Sequence, residues 1–352
     1  MLNVGIAGIG FMGWIHYLAY RQVRGVRVAA ICSRDRKKLA GDWRGIKGNF
    51  GPPGAKVDLS GVKRFDNLDA MLADPDLDAI DICLPAKLHC AATMAALKAG
   101  KHVFCEKPIA INHADAKTMV RAAGRVDRQL MIGHVLPFLP EYAFVLATVN
   151  AGKYGKLLGG HFRRLIADPK WIPDYYDISS TGGPLVDLHI HDAHFIRLLF
   201  GQPRAVFSRG RLHRGDAKSS VVEYVETQFL CDDPTQVVSA AGGVIEQQGR
   251  AFQQAFEIHF EKATLSYDFA VLDDQPHIAT PLTVLEAGGK VHQPRLGSSD
   301  PTAGFVAEVK EMVRSLNRGE PSPILSGQLA ADALWLCQKQ TESVRTGKLV
   351  RV

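Results

Sequence analysis

Leu2-Asn3-Val4-Gly5-Ile6-Ala7-Gly8-Ile9-Gly10-Phe11-Met12-Gly13 is the stretch on which the fold turns. Leu2 to Ala7 is an apolar, β-prone run. Gly8, Gly10 and Gly13 then stand at G-x-G-x-x-G spacing, and a helical pattern follows from Trp14 to about Val23. Strand before and helix after is the context this spacing requires, because backbone amides and the helix N-terminus can then hold a pyrophosphate. A second strand, Val26 to Cys32, completes a βαβ unit, so the first half of the chain reads as a dinucleotide-binding α/β domain.

After that second strand the fingerprint expects an acidic residue for the ribose hydroxyls. The chain has Ser33-Arg34 instead, with Asp35 two places late and Lys37 and Lys38 beyond. A serine and a guanidinium suit a 2′-phosphate, which favours NADP over NAD. Asp35 reads better as the N-cap of the next helix. Residues 45–61 turn to Gly, Pro and Lys with no periodicity, a long surface loop that is either a lid or an insertion, and insertion is the preferred reading. Ala79 to Leu84 is the next buried strand, Pro85 breaks it, and an Ala-rich helix runs from Lys87 to Ala99. His89 falls on the cofactor side of the sheet, where capping or packing is the first reading and a ligand contact the second.

Gly100-Lys101-His102-Val103-Phe104-Cys105-Glu106-Lys107-Pro108 is a short strand ended by a charged pair and a proline that cannot donate to a ladder. Ligands of an open parallel sheet bind beyond its carboxyl ends, so Lys107 is the first candidate for chemistry; the plain alternative is a solvated Glu-Lys pair. Gln129 to Gly133 is one more strand, and it delivers His134 to the same crevice.

Beyond His134 the pattern changes. A helix from Pro140 to Asn150 precedes strand-like runs at Leu157–Leu165, Ala205–Leu212, Val221–Leu230, Gln236–Gly243, Gln254–Phe260 and Ala263–Phe269, and helices return at Gly304–Ser315 and Gly327–Thr346. Runs of strands with few helices between them predict a mainly antiparallel sheet, giving a Rossmann domain over residues 1–134 and an α+β domain over 135–352. Between these strands lies Thr181-Gly182-Gly183-Pro184-Leu185-Val186-Asp187-Leu188-His189-Ile190-His191-Asp192-Ala193-His194, helical from Leu185 to a stop at Gly201. Asp187 and His191 are four apart and share a face, with His194 three further on. A carboxylate beside an imidazole is a competent acid/base unit. A metal cluster of His189, His191, Asp192 and His194 is a rival reading, weakened because His189 and His191 point apart on a helix, and a purely structural polar face is another. The preceding segment, Asp168 to Tyr176, includes Pro173 and Asp174 and offers carboxylates and the aromatic faces of Trp171 and Tyr176 to a ligand, with ordinary loop packing the alternative.

Composition bounds these readings. The 352 residues suffice for two domains, and 46% hydrophobic with 22% charged is ordinary for a globular protein. A charge of +6, from 42 Lys+Arg against 36 Asp+Glu, carries no dense basic block, which suits an anionic small ligand such as a nucleotide at least as well as nucleic acid. No apolar run approaches a membrane span, and the N-terminus lacks the pattern of a signal peptide. Six cysteines without close pairs or metal-ligand spacing fit a reduced, cytoplasmic compartment.

Together, the N-terminal fingerprint, Glu106-Lys107-Pro108 after a Gly-Lys-His-Val strand, and Gly182-Gly183 followed by Asp187 and His191 resemble the glucose-fructose oxidoreductase / inositol 2-dehydrogenase / MocA (Gfo/Idh/MocA) oxidoreductases over nearly the whole chain, through Glu342 to Lys348. The resemblance implies a Rossmann domain, a second domain with a large open-faced sheet that often forms a homo-oligomer (dimer or tetramer) interface, and oxidation of a sugar or cyclitol hydroxyl with NAD(P). It implies Lys107, Asp187 and His191 as the catalytic set. Gly8, Gly10, Phe11, Met12, Gly13, Ser33, Arg34, Pro85, His89, Glu106 and Lys107 are the cofactor-binding candidates, and His134, Trp171, Tyr176 and His194 the substrate candidates. No metal is expected. Several positions depart from the pattern: His189 stands where glycine is common, His194 where a second aspartate is common, Pro137 where an arginine often precedes Phe138 and Pro140, and Ala86 where asparagine often follows Pro85. NAD-dependent glycosidases and non-catalytic sugar-nucleotide sensors use the same scaffold and stay open; Lys107, Asp187 and His191 all being present weighs against the sensor.

Overall fold

The structure, a computed structural model, describes residues 1–172, 175–213, 221–297, 300 and 302–352. In chain order its elements are β1 (Leu2–Ala7), α1 (Phe11–Tyr20), β2 (Val26–Cys32), α2 (Arg36–Leu39), β3 (Lys63–Phe65), α3 (Leu68–Leu72), β4 (Ala79–Ile82), α4 (His89–Lys98), β5 (His102–Glu106), α5 (His113–Ala123), β6 (Leu130–Gly133), α6 (Pro140–Asn150) and β7 (Leu157–Ala167). A π-helical turn, Leu185–His189, leads into α7 (Ile190–Phe200). There follow β8 (Ala205–Leu212), β9 (Val222–Leu230), β10 (Val237–Ile245), β11 (Arg250–Phe260), β12 (Ala263–Leu272), β13 (Gln275–Glu286), β14 (Val291–His292), α8 (Ala303–Arg318), α9 (Gly327–Thr346) and β15 (Val350–Arg351).

The chain divides into two compact units, Met1–Leu139 with Ser298–Ala331, and Pro140–Gly297 with Asp332–Val352. A single cut after His134 therefore does not describe the division. The physical reason is α8, whose Phe305, Val309, Met312 and Val313 join the apolar cluster of α1 through Ile15, Tyr20 and Val23.

In the first unit six strands run in the order β3-β2-β1-β4-β5-β6, and every pairing is parallel. The direction of strand order reverses between β1 and β4, which is where such sheets open a crevice beyond their carboxyl ends. β1, β4, β5 and β6 deliver Gly8, Cys83, Lys107 and His134 to those ends. The 45–61 loop is no loose insertion. Ile46 and Leu59 are buried, the Trp14 indole donates to the Pro52 carbonyl at 2.9 Å, and Phe50 stacks on Phe305 at 5.4 Å.

The second unit holds nine strands in the order β14-β13-β12-β11-β7-β10-β9-β8-β15. Antiparallel pairing dominates as expected, but β7 and β10 pair in parallel, from Gly159 opposite Val237 to Ala167 opposite Ile245. β13 has no counterpart among the expected strands because Pro276 and Pro281 interrupt its pattern; prolines are tolerated toward a sheet edge, and only two-residue β14 lies outside it. Among the described residues no helix is long and apolar enough to cross a membrane.

Candidate functional site

The glycines of the first turn are set by close approach. Gly8 has φ +101° and a Cβ there would lie 2.5 Å from the Cys83 carbonyl oxygen, while one on Gly13 would lie 2.2 Å from the Gly8 oxygen. Gly10 is different: a Cβ would meet nothing within 4 Å. That open backbone beside a helix N-terminus is the cradle a pyrophosphate needs, so the residues fit a dinucleotide. Phe11 and Met12 start α1, and Phe11 meets Phe50 edge-on at 4.8 Å, so the 45–61 loop packs against the same turn. At the end of β2, Asp35 caps α2, its Oδ1 accepting the Lys37 amide at 2.8 Å, while Arg34 is exposed. Pro85 starts the turn after β4. His89 is buried, with Nδ1 and Nε2 each 2.7 Å from a backbone carbonyl, of Pro108 and Leu84 respectively. Burial outweighs both carbonyls and holds its pKa below the usual value. His89 thus ties together two strand-end loops, the packing role.

Lys107 is half-buried one residue past β5, and His134 is fully buried one residue past β6. Glu106 is turned inward. Its Oε1 lies 2.9 Å from His16 Nε2 and its Oε2 accepts the Lys107 backbone N–H at 3.2 Å. His16 Nδ1 in turn lies 2.8 Å from Asp81 Oδ2, and Cys83 Sγ approaches the same nitrogen at 3.5 Å. None of His16, Asp81 or Cys83 stood out by spacing. The readable signal was Asp81, a carboxylate inside the four-residue buried strand Ala79–Ile82, which demands a partner.

In the second unit, Gly182 and Gly183 have φ +81° and +80°, and a Cβ on Gly182 would lie 2.5 Å from Val186 Cγ1. The chain then enters a π turn where α-helical spacing was expected. π turns are rare and concentrate at functional sites. Residues four apart still lie on roughly one face under either winding, and the outcome is selective. Across residues 185–196 every side chain is buried except Asp187 and His191, which are half-buried. Tyr175 is buried beside this stretch; burial pushes its phenol well up, and the Asp187 carboxylate adds to it.

The rest of the polar cluster is spoken for. Asp192 forms a buried ion pair with Arg164 at 2.8 and 3.2 Å, and Arg164 also donates to Gln254 Oε1 at 3.1 Å. His189 is fully buried with Nε2 2.9 Å from the Gln340 amide nitrogen, and His194 is also buried. Trp171 is 65% exposed, whereas Tyr176 has one face stacked on His213 at 3.6 Å and its hydroxyl donating to Asp168 at 2.8 Å. His213 continues to Glu223 at 2.9 Å, which Arg211 also engages. Pro173 and Asp174 lie outside the described residues.

Comparison with known proteins finds matches over both halves of the chain. A family model described as "Oxidoreductase family, NAD-binding Rossmann fold" matches residues 2–134, and "GFO/IDH/MocA C-terminal domain" matches residues 142–266. Myo-inositol 2-dehydrogenase of Thermotoga maritima is 28% identical over 100% of this chain and 99% of its own. Levoglucosan dehydrogenase of Pseudarthrobacter phenanthrenivorans is 29% identical over 58% of this chain and 53% of its own. Among solved structures, a levoglucosan dehydrogenase in complex with NADH and levoglucosan superposes with a TM-score of 0.79 at 22% identity, covering 100% of this chain and 99% of that one. That likeness establishes the shared fold.

Proposed function

The chain belongs to the Gfo/Idh/MocA oxidoreductase family, and from that premise we propose that it catalyses reversible hydride transfer between a secondary-alcohol carbon of a sugar or cyclitol and the nicotinamide of NAD(P). The observation that carries this reading is the exposure pattern of residues 185–196, where only Asp187 and His191 escape burial. Bound along Gly8, Gly10 and Gly13, the nicotinamide cofactor supplies the hydride acceptor. His191 takes the hydroxyl proton as general base. Lys107 donates a hydrogen bond to the same oxygen and offsets the charge developing there. Asp187 orients the imidazole or a neighbouring hydroxyl. Exposed Trp171 gives the sugar ring an apolar face, and Tyr176 offers its remaining edge.

NADP is the preferred cofactor in this reading. The Asp35 carboxylate caps the α2 amides, which leaves Arg34 as the first exposed cation after β2. In this reading the protein works in the cytoplasm, and it forms a homo-oligomer, the latter supported by exposed Phe207, Leu230 and Val237 on one face of the large sheet.

His191→Ala lowers kcat by about 10²–10⁴-fold if the imidazole is the proton acceptor. Turnover close to wild type in that variant contradicts the assignment. Arg34→Ala weakens NADPH binding by about tenfold or more while sparing NADH, since a charge-assisted hydrogen bond is lost. Equal effects on the two dinucleotides, measured by fluorescence titration, would remove the NADP preference.

A further inference from the structure

His16 is fully buried three residues past Gly13, and two carboxylates close on its two nitrogens: Asp81 at 2.8 Å and Glu106 at 2.9 Å. Both nitrogens must donate to satisfy both partners, so the ring carries two protons and a positive charge. Burial alone would drive the second proton off; the Asp81 carboxylate, aided by Cys83, more than reverses this and holds the pKa well above the ordinary histidine value. A divalent ion on the same atoms would need Nδ1 stripped of its proton, against this arrangement.

The other titratable groups around the ring do not compete for it. The Cys83 thiol, 3.4 Å from Asp81 Oδ1, is kept protonated by burial and by Asp81. Glu308 reaches in from α8 fully buried, with neither oxygen hydrogen-bonded among the described residues; burial and Glu106 push it towards the neutral acid. Cys105 is buried and raised by desolvation, and the raised Tyr20 phenol contacts Met312 Sδ at 3.6 Å. Phe104 stacks on the imidazole at 5.4 Å and Phe305 lies at 6.1 Å, which restrains the ring between its partners.

The consequence appears at the strand end. Glu106 holds His16 with one oxygen and the Lys107 backbone N–H with the other. A Cβ on Gly133 of β6 would come within 3.0 Å of Glu106 Oε1, so the neighbouring strand leaves room for this carboxylate only because it carries no side chain there. We propose that His16 is a positioning residue for Lys107: clamped between Asp81 and Glu106 beneath the glycine-rich turn, it fixes the carboxylate to which the Lys107 backbone is tied. This rests on the reading in which Lys107 meets the reacting oxygen.

The test uses the whole enzyme with the sugar or cyclitol it turns over. His16→Asn keeps a donor near the Nδ1 position, toward Asp81, and His16→Gln keeps one near the Nε2 position, toward Glu106. His16→Asn is expected to lower kcat by about ten- to hundredfold, as a small misplacement of a catalytic group does, with KM and the dinucleotide Kd within about threefold of wild type, and His16→Gln to recover most of that loss. Wild-type kcat in both variants with a lowered Tm would make His16 merely structural and overturn the proposal. Should either variant fail to fold, Glu106→Gln is expected to lower kcat by a similar factor, and wild-type kcat in it would overturn the proposal. Nitrogen-15 NMR of the unmutated protein is independent of activity, and a His16 ring with one unprotonated nitrogen at about neutral pH would also overturn it. Lys107→Ala separates the two ideas. If it keeps full kcat, the Lys107 assignment itself fails; if it loses kcat while His16→Asn does not, only the role of His16 fails.

Discussion

His16 and His189 are both fully buried, one in each unit, yet burial leaves them in opposite states. His16 faces two carboxylates and is held charged. His189 faces an amide: the Gln340 Nε2 donates to its Nε2, so the ring is the Nδ1–H tautomer, and burial lowers its pKa to about 4. Its Nδ1 has no hydrogen-bond partner among the described residues and lies over Gly242 of β10, where a Cβ would come within 2.2 Å of it. Gln340 also donates to Thr227 Oγ1 at 2.9 Å, and Thr227 meets Ser208 Oγ at 2.8 Å. The lesson is that the charge of the partner, and not the depth of burial, decides whether a core histidine keeps its proton.

The largest effect that can break this contrast comes from deleting each ring. His16→Leu strands Asp81 and Glu106 without their cation and costs about 3–5 kcal/mol near neutral pH. His189→Leu leaves one amide donor short and costs about 1–3 kcal/mol. Urea midpoints compare them, and equal losses would mean that His16 is not a charged hub.

The pH dependences differ in sign. A histidine whose folded pKa is raised contributes stability that is complete below its unfolded value of about 6.5 and is lost as pH rises through the folded pKa. His16 therefore weakens the fold on the alkaline side. His189, lowered to about 4, does the reverse. The unfolded chain gains a proton below about pH 6.5 that the folded ring refuses, so about 3 kcal/mol is lost as pH falls toward 4. His189→Leu should flatten that acid limb and His16→Leu the alkaline one. Thermal unfolding across pH checks both, and an unchanged acid limb in His189→Leu would show that folding does not lower the ring's pKa.

Smaller effects sharpen the picture on the neutral side. Gly242→Ala drives a methyl into the His189 ring and costs about 1–3 kcal/mol, with no matching penalty expected at open Gly10. Ser343→Ala removes the hydroxyl that accepts the Ser208 amide at 2.8 Å and donates to the Lys348 carbonyl, for about 1 kcal/mol. Differential scanning calorimetry resolves both.

Much of this was legible in the sequence. β1, β2 and α6 start and end as the periodicity predicts, because apolar runs bounded by glycine, serine or proline leave little choice. The place of Lys107 just past a strand end followed from Pro108, and the shared exposure of Asp187 and His191 from their spacing. The rest depends on tertiary placement. The direction of β7 against β10 is a property of topology, and a four-residue spacing falls on roughly one face in the π turn at Leu185–His189 as in an α-helix, so it does not tell them apart. The return of residues 298–331 to the first unit was hidden because the apolar face of α8 does not declare what it packs on. His16 was passed over as one polar residue in an apolar helix, although Asp81 in a buried strand already required such a partner. The ion pair of Arg164 and Asp192 was missed for the same reason, its two halves lying 28 positions apart.

The most direct measurement of the central claim is the rate of reduced-nicotinamide formation by the purified protein across a panel of sugars and cyclitols, with NAD and NADP run separately and His191→Ala alongside. Turnover of at least one polyol that disappears in the variant is the predicted result. A protein that binds either dinucleotide tightly but turns over no member of the panel, or one whose turnover survives loss of His191, would contradict it.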